Sequence, residues 1–288
     1  KKTTMKILHF KAVGICLFLL GLISPNFSTL QVQGEKAEKE NPIVVFSYMK
    51  SKNGDYAKME KEIWEPFMNQ EIKNGKKVFW AIYDVAYPSG KNTEYDFVAI
   101  NVYANMEQLE NSSIGFEERI KKVHPNLDLA KLIKRTEDSR DLVWSEAFRL
   151  LTSADSNIGE AAKVIVANRM QSKPDKYNEY MRMELKTFQP AHKISVKQGY
   201  RKNWHFLSRA MPYGSEYEYD FMTFDSYDSM TQMAKATPAN VWQDAHPDKD
   251  IEAMWAELNP EKLRTLMRGE VWKNIIYANG TNKKMAEK

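Results

Sequence analysis

Glu94-Tyr95-Asp96-Phe97 and Glu218-Tyr219-Asp220-Phe221 are the same four residues, 124 positions apart. Working outward at the same offset, Pro66, Trp80, Pro88 and Gly90 return as Pro190, Trp204, Pro212 and Gly214. From Tyr56 to Met106, set against Tyr180 to Met230 without a gap, sixteen of 51 positions are identical. Composition alone would give about three. Before this window Met49, Ser51 and Lys52 pair with Met170, Ser172 and Lys173. After it, His124-Pro125 pairs with His246-Pro247, and Arg140, Leu142 and Glu146 pair with Arg264, Leu266 and Glu270. The period is too long for a solenoid repeat and marks a duplicated domain.

Each copy reads as the same series of elements. Ile43 to Lys50 is a short apolar run with β-branched residues, which predicts a strand. Tyr56, Met59, Ile63 and Phe67 recur at helical spacing. Val78–Tyr87 and Glu94–Tyr103 are strands on either side of a Pro-Ser-Gly loop. Residues 105–138 are helical in pattern, with a break at His124-Pro125, and Arg140 to Leu151 is a fourth strand. The order β-α-β-β-α-β is the ferredoxin-like unit. The second copy repeats it with strands at Val164–Gln171, Gly199–Met211, Glu216–Asp225 and Arg264–Tyr277. The two units occupy 42–152 and 161–279, joined by a polar stretch.

Residues 1–34 read differently. Lys1, Lys2, Lys6 and Lys11 precede the apolar run Ala12 to Ile23, which Ser24-Pro25 ends. This predicts a secretory signal peptide, and the run is short for a span of about 20 residues. The full chain has 42 basic and 38 acidic side chains; residues 1–34 hold four lysines and no acid, so the remainder is balanced. A balanced chain has no electrostatic footprint for nucleic acid. The one cysteine, Cys16, lies in the leader. The remainder can form no disulfide, zinc–thiolate site or thiol nucleophile. Export to a bacterial periplasm or the exterior is the expectation, with no membrane span in the mature chain.

The fourth strand is apolar on both faces: Val143, Ala147 and Leu151 on one, Leu142, Trp144, Phe148 and Leu150 on the other. Such a strand is buried on both sides. Two helices cover one face of a four-stranded sheet, and the other needs a partner sheet, which the second copy supplies. The expected fold is α+β: two tandem ferredoxin-like units packed sheet to sheet around a barrel-like space.

In this element order and in its Trp…Pro…Tyr-Asp-Phe pattern, the chain resembles the dimeric α+β barrel superfamily in tandem form. It is similar to the NIPSNAP, EthD and antibiotic-monooxygenase groups over residues 43–277. The resemblance implies binding of small hydrophobic or aromatic molecules between sheet and helices. It leaves cofactor-free or haem-using oxygenase activity as an alternative. A structural or interaction module without a small-molecule site is the third reading. Because a tandem barrel pairs its own sheets, oligomerisation is not required.

Polar residues on strands are the candidates for a site, since a buried polar group needs a partner. Arg140 and Glu146 are six apart on one strand and are expected on one face. Arg264 and Glu270 repeat this, with Arg268 between them and Trp144 alongside in the first copy. Tyr48 and Arg169 occupy matching positions on the first strands. These groups read either as a pocket wall or as an internal network pinning the sheets. Trp80, Trp204, Tyr95 and Tyr219 read as packing groups, and Asp96 and Asp220 as strand-end caps. His124 and His246 suit helix starts, and His192 suits an exposed helix end. His205 faces Ala81 in the alignment and so breaks the symmetry, which makes it the histidine to watch. The histidines have no metal-ligand spacing, and no metal is expected. Haem stays open only through the resemblance. Function is expected where the copies differ.

Overall fold

The protein is described by a computed structural model covering residues 40–156, 160–235 and 237–280. The leader at 1–34 lies outside the described residues. Eight strands form: β1 (Ile43–Ser51), β2 (Phe79–Tyr87), β3 (Phe97–Tyr103), β4 (Arg140–Ser153), β5 (Val164–Ser172), β6 (Asn203–Met211), β7 (Phe221–Tyr227) and β8 (Arg264–Ala278). They close into one antiparallel barrel in the order β1-β3-β2-β8-β5-β7-β6-β4.

Each unit keeps the ferredoxin-like order, with its second and fourth strands at the two edges. Each edge is then paired by the other unit: β2 with β8, and β4 with β6. The tandem arrangement therefore leaves no unpaired strand edge in the barrel. This sharpens the sheet-to-sheet expectation. The two sheets face each other because they are one sheet closed on itself.

Alternation along the strands sorts the apolar residues. Val44, Phe46, Tyr83, Ile100, Phe148, Ile165, Leu207, Phe224 and Trp272 belong to a single buried cluster to which all eight strands contribute, so it fills the barrel. Residues of the opposite parity meet the helices. Trp80, Ile82 and Ala99 pack with Met59, Phe67 and Ile120 in one unit. Trp204, Phe206 and Phe221 pack with Tyr180 and Met183 in the other. Trp80 and Trp204 are thus the floor beneath the helices.

The long helix of each unit carries one π-helical segment, Glu60–Trp64 between Tyr56–Met59 and Glu65–Lys73, and Glu184–Phe188 between Tyr177–Met183 and Gln189–Lys197. A π-turn interrupts the regular ladder and leaves carbonyls for outside partners. His124 Nε2 lies 2.9 Å from the Ile63 carbonyl, and His246 Nε2 lies 3.0 Å from that of Thr187. A carbonyl only accepts, so Nε2 is the donor in both. The two histidines cap the C-terminal ends of Phe116–Val123 and Asn240–Ala245, rather than opening helices. His192 also departs from expectation: its ring stacks on Trp204 at 4.4 Å and is not exposed.

Candidate functional site

Two regions inside the barrel carry polar side chains, one at each end, and an aromatic layer separates them. Phe46 stands at its centre, 5.6 Å from Phe148, 5.4 Å from Phe224 and 6.3 Å from Trp272, between ring centroids.

The first end is charged and filled. Glu146 on β4 accepts hydrogen bonds from Tyr48 Oη at 2.6 Å, Tyr219 Oη at 2.6 Å and Arg209 Nη1 at 2.7 Å. Glu270 on β8 accepts from Tyr95 Oη at 2.7 Å and Trp272 Nε1 at 2.9 Å. It also pairs with Arg268 Nη2 at 2.7 Å and Arg169 Nη1 at 3.0 Å. Arg169 donates from Nη2 to Tyr95 Oη at 2.9 Å and lies over the rings of Tyr48, Tyr219 and Trp272. Burial pushes the Glu270 carboxyl up, but Arg169, Tyr95, Trp272 and Arg268 together hold it below the usual carboxylate range. Both carboxylates join the repeats: Glu146 binds Arg209 and Tyr219 of the second unit, and Glu270 binds Tyr95 of the first.

Of the residues singled out from sequence, Tyr48, Arg169, Trp144, Glu146, Arg268 and Glu270 meet at this end, with the Trp144 and Tyr48 ring centroids 4.4 Å apart. Arg140 and Arg264 do not. The expectation that Arg140 shares a face with Glu146 fails because of a β-bulge. Tyr48 pairs with Trp144 but Met49 pairs with Leu142, so Val143 is an extra residue. The same happens at Met267 on β8, between the pairs Arg169–Arg268 and Met170–Leu266. One extra residue turns the following side chains to the other face. Arg140 and Arg264 therefore lie beneath the helices.

There each meets a buried carboxylate on the π-segment. Arg140 Nε is 3.9 Å from Glu60 Oε1, and the Tyr56 hydroxyl donates to Met49 Sδ at 2.9 Å. In the second unit Tyr180 donates to Met170 Sδ at 2.6 Å, beside Glu184. Burial pushes Glu60 up to about 7, against the pull of Arg140. Glu184 rises to about 7 for the same reason, opposed by Tyr180 and Arg264.

The second end of the barrel holds a cavity of about 130 Å³. Val44, Phe79, Tyr83, Ile100, Ile165, Leu207 and Phe224 give it an apolar wall, while Asp155, Glu160, Ala161 and Ala162 of the inter-repeat stretch contribute to its lining. Tyr83 Oη donates to the Ala162 carbonyl at 3.1 Å and ties that stretch to β2. His205, Asn203 and Lys202 supply polar groups. Burial pushes the His205 imidazole down to about 4, although Asp155 pulls the other way. Its Nδ1 is buried and has no hydrogen-bond partner. The structure thus separates His205 from Tyr48 and Arg169 by the aromatic layer.

Three contributors carry no signal in the strand pattern. Tyr95 and Tyr219 read as packing groups, yet their hydroxyls bind the two carboxylates. Arg209 belongs to no motif, although it faces Val85 in the repeat alignment. An arginine where the other copy has valine is the same break in symmetry that draws attention to His205.

Neither polar end accommodates haem. Ligand clefts for drug-sized molecules begin at about 300 Å³, and the cavity beside His205 is less than half that. The spaces between sheet and helices are packed with aromatic and methionine side chains. Among the described residues no group of three or more His, Cys, Asp or Glu is placed to hold a metal ion. No helix among them is long and apolar enough to cross a membrane.

No protein-family model and no curated protein sequence matches this chain. Solved structures do. A candidate monooxygenase from Fusobacterium nucleatum subsp. nucleatum ATCC 25586 superposes with a TM-score of 0.50 at 8% identity, covering 84% of this chain and 96% of its own. An anthrone oxidase-like protein gives 0.46 at 12% identity, over 87% of this chain and 98% of its own. A haem-binding protein from Thermus thermophilus gives 0.44 at 10%, over 82% and 92%. At such identities the likeness concerns the fold alone. This chain has the dimeric α+β barrel fold, with both halves of the barrel supplied by one polypeptide.

Proposed function

We propose that the protein binds a small hydrophobic or aromatic molecule inside the barrel, in the cavity beside His205. The observation that carries this reading is the cavity itself: an apolar wall from several strands with a few convergent polar groups, which is the general form of a small-molecule site. Its volume of about 130 Å³ is on the scale of the roughly 150 Å³ apolar cavity known to take benzene. The location differs from the sequence expectation, which put a pocket between sheet and helices. That space is filled here.

Binding is favoured over oxygenase chemistry by the state of His205. Cofactor-free oxygenation begins with removal of a substrate proton, and a general base is most effective with its pKa near the working pH. An imidazole pushed down to about 4 by burial is a weak base at neutral pH. The charged end offers no better base, because Glu146 and Glu270 are saturated by internal donors.

Titration of the labelled protein with toluene tests the proposal. Resonances of Val44, Leu207 and Phe224 should shift in a saturable way while those of Trp144 and Tyr219 stay still. Cavity resonances that do not respond would refute it. Leu207→Trp, which fills the space, should abolish the response.

Export belongs to the same proposal and rests on the composition of residues 1–34. A shortened chain in the periplasmic fraction or medium supports it, and a full-length cytoplasmic chain counts against it.

A further inference from the structure

Barrel closure uses only part of the two longest strands. β6 pairs with β4 from Ala147 to Ser153, and β2 pairs with β8 from Val271 to Ala278. The residues before those points, Arg140 to Glu146 on β4 and Arg264 to Glu270 on β8, run past the closed ring. Each run has a strand on one side only, β1 for the first and β5 for the second. Among the described residues no backbone hydrogen bond reaches the other side of either run. A strand with one side unpaired presents a row of N–H and C=O groups to any further strand. Leu142 and Val143 are exposed on the first run, Leu266 and Met267 on the second.

The two runs are copies of each other, and they differ at two positions that govern pairing. Trp144 and Ser145 stand where β8 has Arg268 and Gly269. Arg268 is partly exposed and pairs with Glu94 at 3.6 Å, which places a charge and the loop ahead of β3 beside the β8 edge. A charge on an edge and a glycine within a strand both work against further pairing. The β4 run has neither, and it offers valine and tryptophan, which suit strands. Its exposed charge, Asp141, lies near the start and is held by Lys52 at 2.6 Å. The bulges at Val143 and Met267 bend both runs alike and do not distinguish them.

We propose that the Arg140–Glu146 edge of β4 docks a second copy of this chain, the two β4 edges pairing antiparallel about a two-fold axis. This edge directly continues the β4–β6 seam through which the two units of one chain already join. Strand addition there extends an interface that the fold uses. Antiparallel pairing of like edges is self-complementary. Leu142 and Val143 of both copies meet near the centre, and the two Asp141 side chains fall at opposite ends. One edge per chain closes the assembly at two copies, whereas pairing through both edges would build an open chain. The charged β8 edge opposes the second arrangement.

Sedimentation of the purified protein over a range of concentrations tests the proposal, and a monomer–dimer equilibrium is expected. Val143→Lys brings two like charges together at the centre and should return the protein to monomer. Met267→Lys should leave the dimer intact. Both sites are exposed, and unfolding midpoints check that each variant is folded. Hydrogen exchange of the unaltered protein needs no variant. Amides from Leu142 to Ser145 should exchange more slowly as concentration rises, while those from Leu266 to Gly269 should not. Monomer at every concentration would leave the edge to an extended segment of another protein and overturn the second copy as its occupant. A dimer that protects other amides, or that survives Val143→Lys, would overturn the docking surface. Assemblies larger than a dimer, or dissociation by Met267→Lys, would overturn the choice of β4 over β8.

Discussion

The two ends of the barrel interior are built from the same duplicated strands and have opposite chemistry. At the charged end both carboxylates are ringed by donors. Two glutamates, three arginines and three tyrosines close on one another, and Arg169 is 2% exposed. At the other end a cavity remains, and His205 Nδ1 is buried without a hydrogen-bond partner. Duplication explains the first end, because Glu146 repeats as Glu270 and Tyr95 as Tyr219. Each copy then completes the other's site. The second end arises where duplication is broken, by the inter-repeat stretch and by a histidine where the first copy has alanine. The difference teaches that the charged end is closed by contacts across the repeats, made by the repeated Glu146 and Glu270 together with Arg209 and Arg169, which the copies do not share, whereas the far end keeps open space.

The sharpest way to break this contrast is at the charged end. Glu270→Ala leaves Arg169 buried without its carboxylate and releases Arg268, Tyr95 and Trp272. Breaking a buried pair by removing one partner costs about 3–5 kcal/mol, so denaturant unfolding should show a loss of that order. Binding at the far end should persist wherever the variant remains folded. A loss below about 1 kcal/mol, the net value of one ordinary hydrogen bond, would mean that the network is not what closes the barrel.

A smaller effect is expected from the carboxylates beneath the helices. Glu60 and Glu184 have folded pKa values raised to about 7 by burial. The folded chain therefore binds more protons than the unfolded chain between the usual carboxylate pKa and about 7. The stability these groups contribute is complete below that window and is lost as pH rises through it. Glu60→Gln removes the titration. Relative to the unaltered protein, the variant should gain on the order of 3 kcal/mol between about pH 4.5 and pH 8. Unfolding curves at several pH values check this, and a pH-independent difference would sink it. Glu270 should act in the opposite sense. Its carboxyl is held below the usual range, so its contribution is present above that range and is lost as pH falls through the folded value.

The smallest effect concerns the cavity wall. Tyr83→Phe removes the hydrogen bond to Ala162 that ties the inter-repeat stretch to β2. A cost of about 1 kcal/mol is expected, together with faster hydrogen exchange at Ala161 and Ala162. Unchanged exchange there would show that the stretch is held by other contacts.

How much of this is legible differs between fold and site. The repeat predicts the element order, and the observed strands begin and end close to the expected positions, except that β6 begins at Asn203 and not at Gly199, and that the Glu94–Asp96 and Glu216–Asp220 stretches lie in loops ahead of β3 and β7. The latter exception matters for the site. Strand parity says nothing about a loop residue, so the inward turn of Tyr95 and Tyr219 cannot be read from alternation. Arg140 and Glu146 are legible as a repeated pair, but their assignment to one face assumes an unbroken strand, and the extra residue Val143 defeats that assumption.

The Glu-Tyr-Asp-Phe stretch shows where the division falls. By itself the sequence determined that a domain is duplicated, in what order its elements run, and that each sheet needs the other, because these follow from local pattern and from a strand apolar on both faces. Only the tertiary structure decided that the edges of the two units pair into one closed barrel, which face each charged side chain takes, and where space is left. Bulges reset side-chain parity one residue at a time, and barrel closure depends on pairings between strands far apart in the chain; neither leaves a local signal.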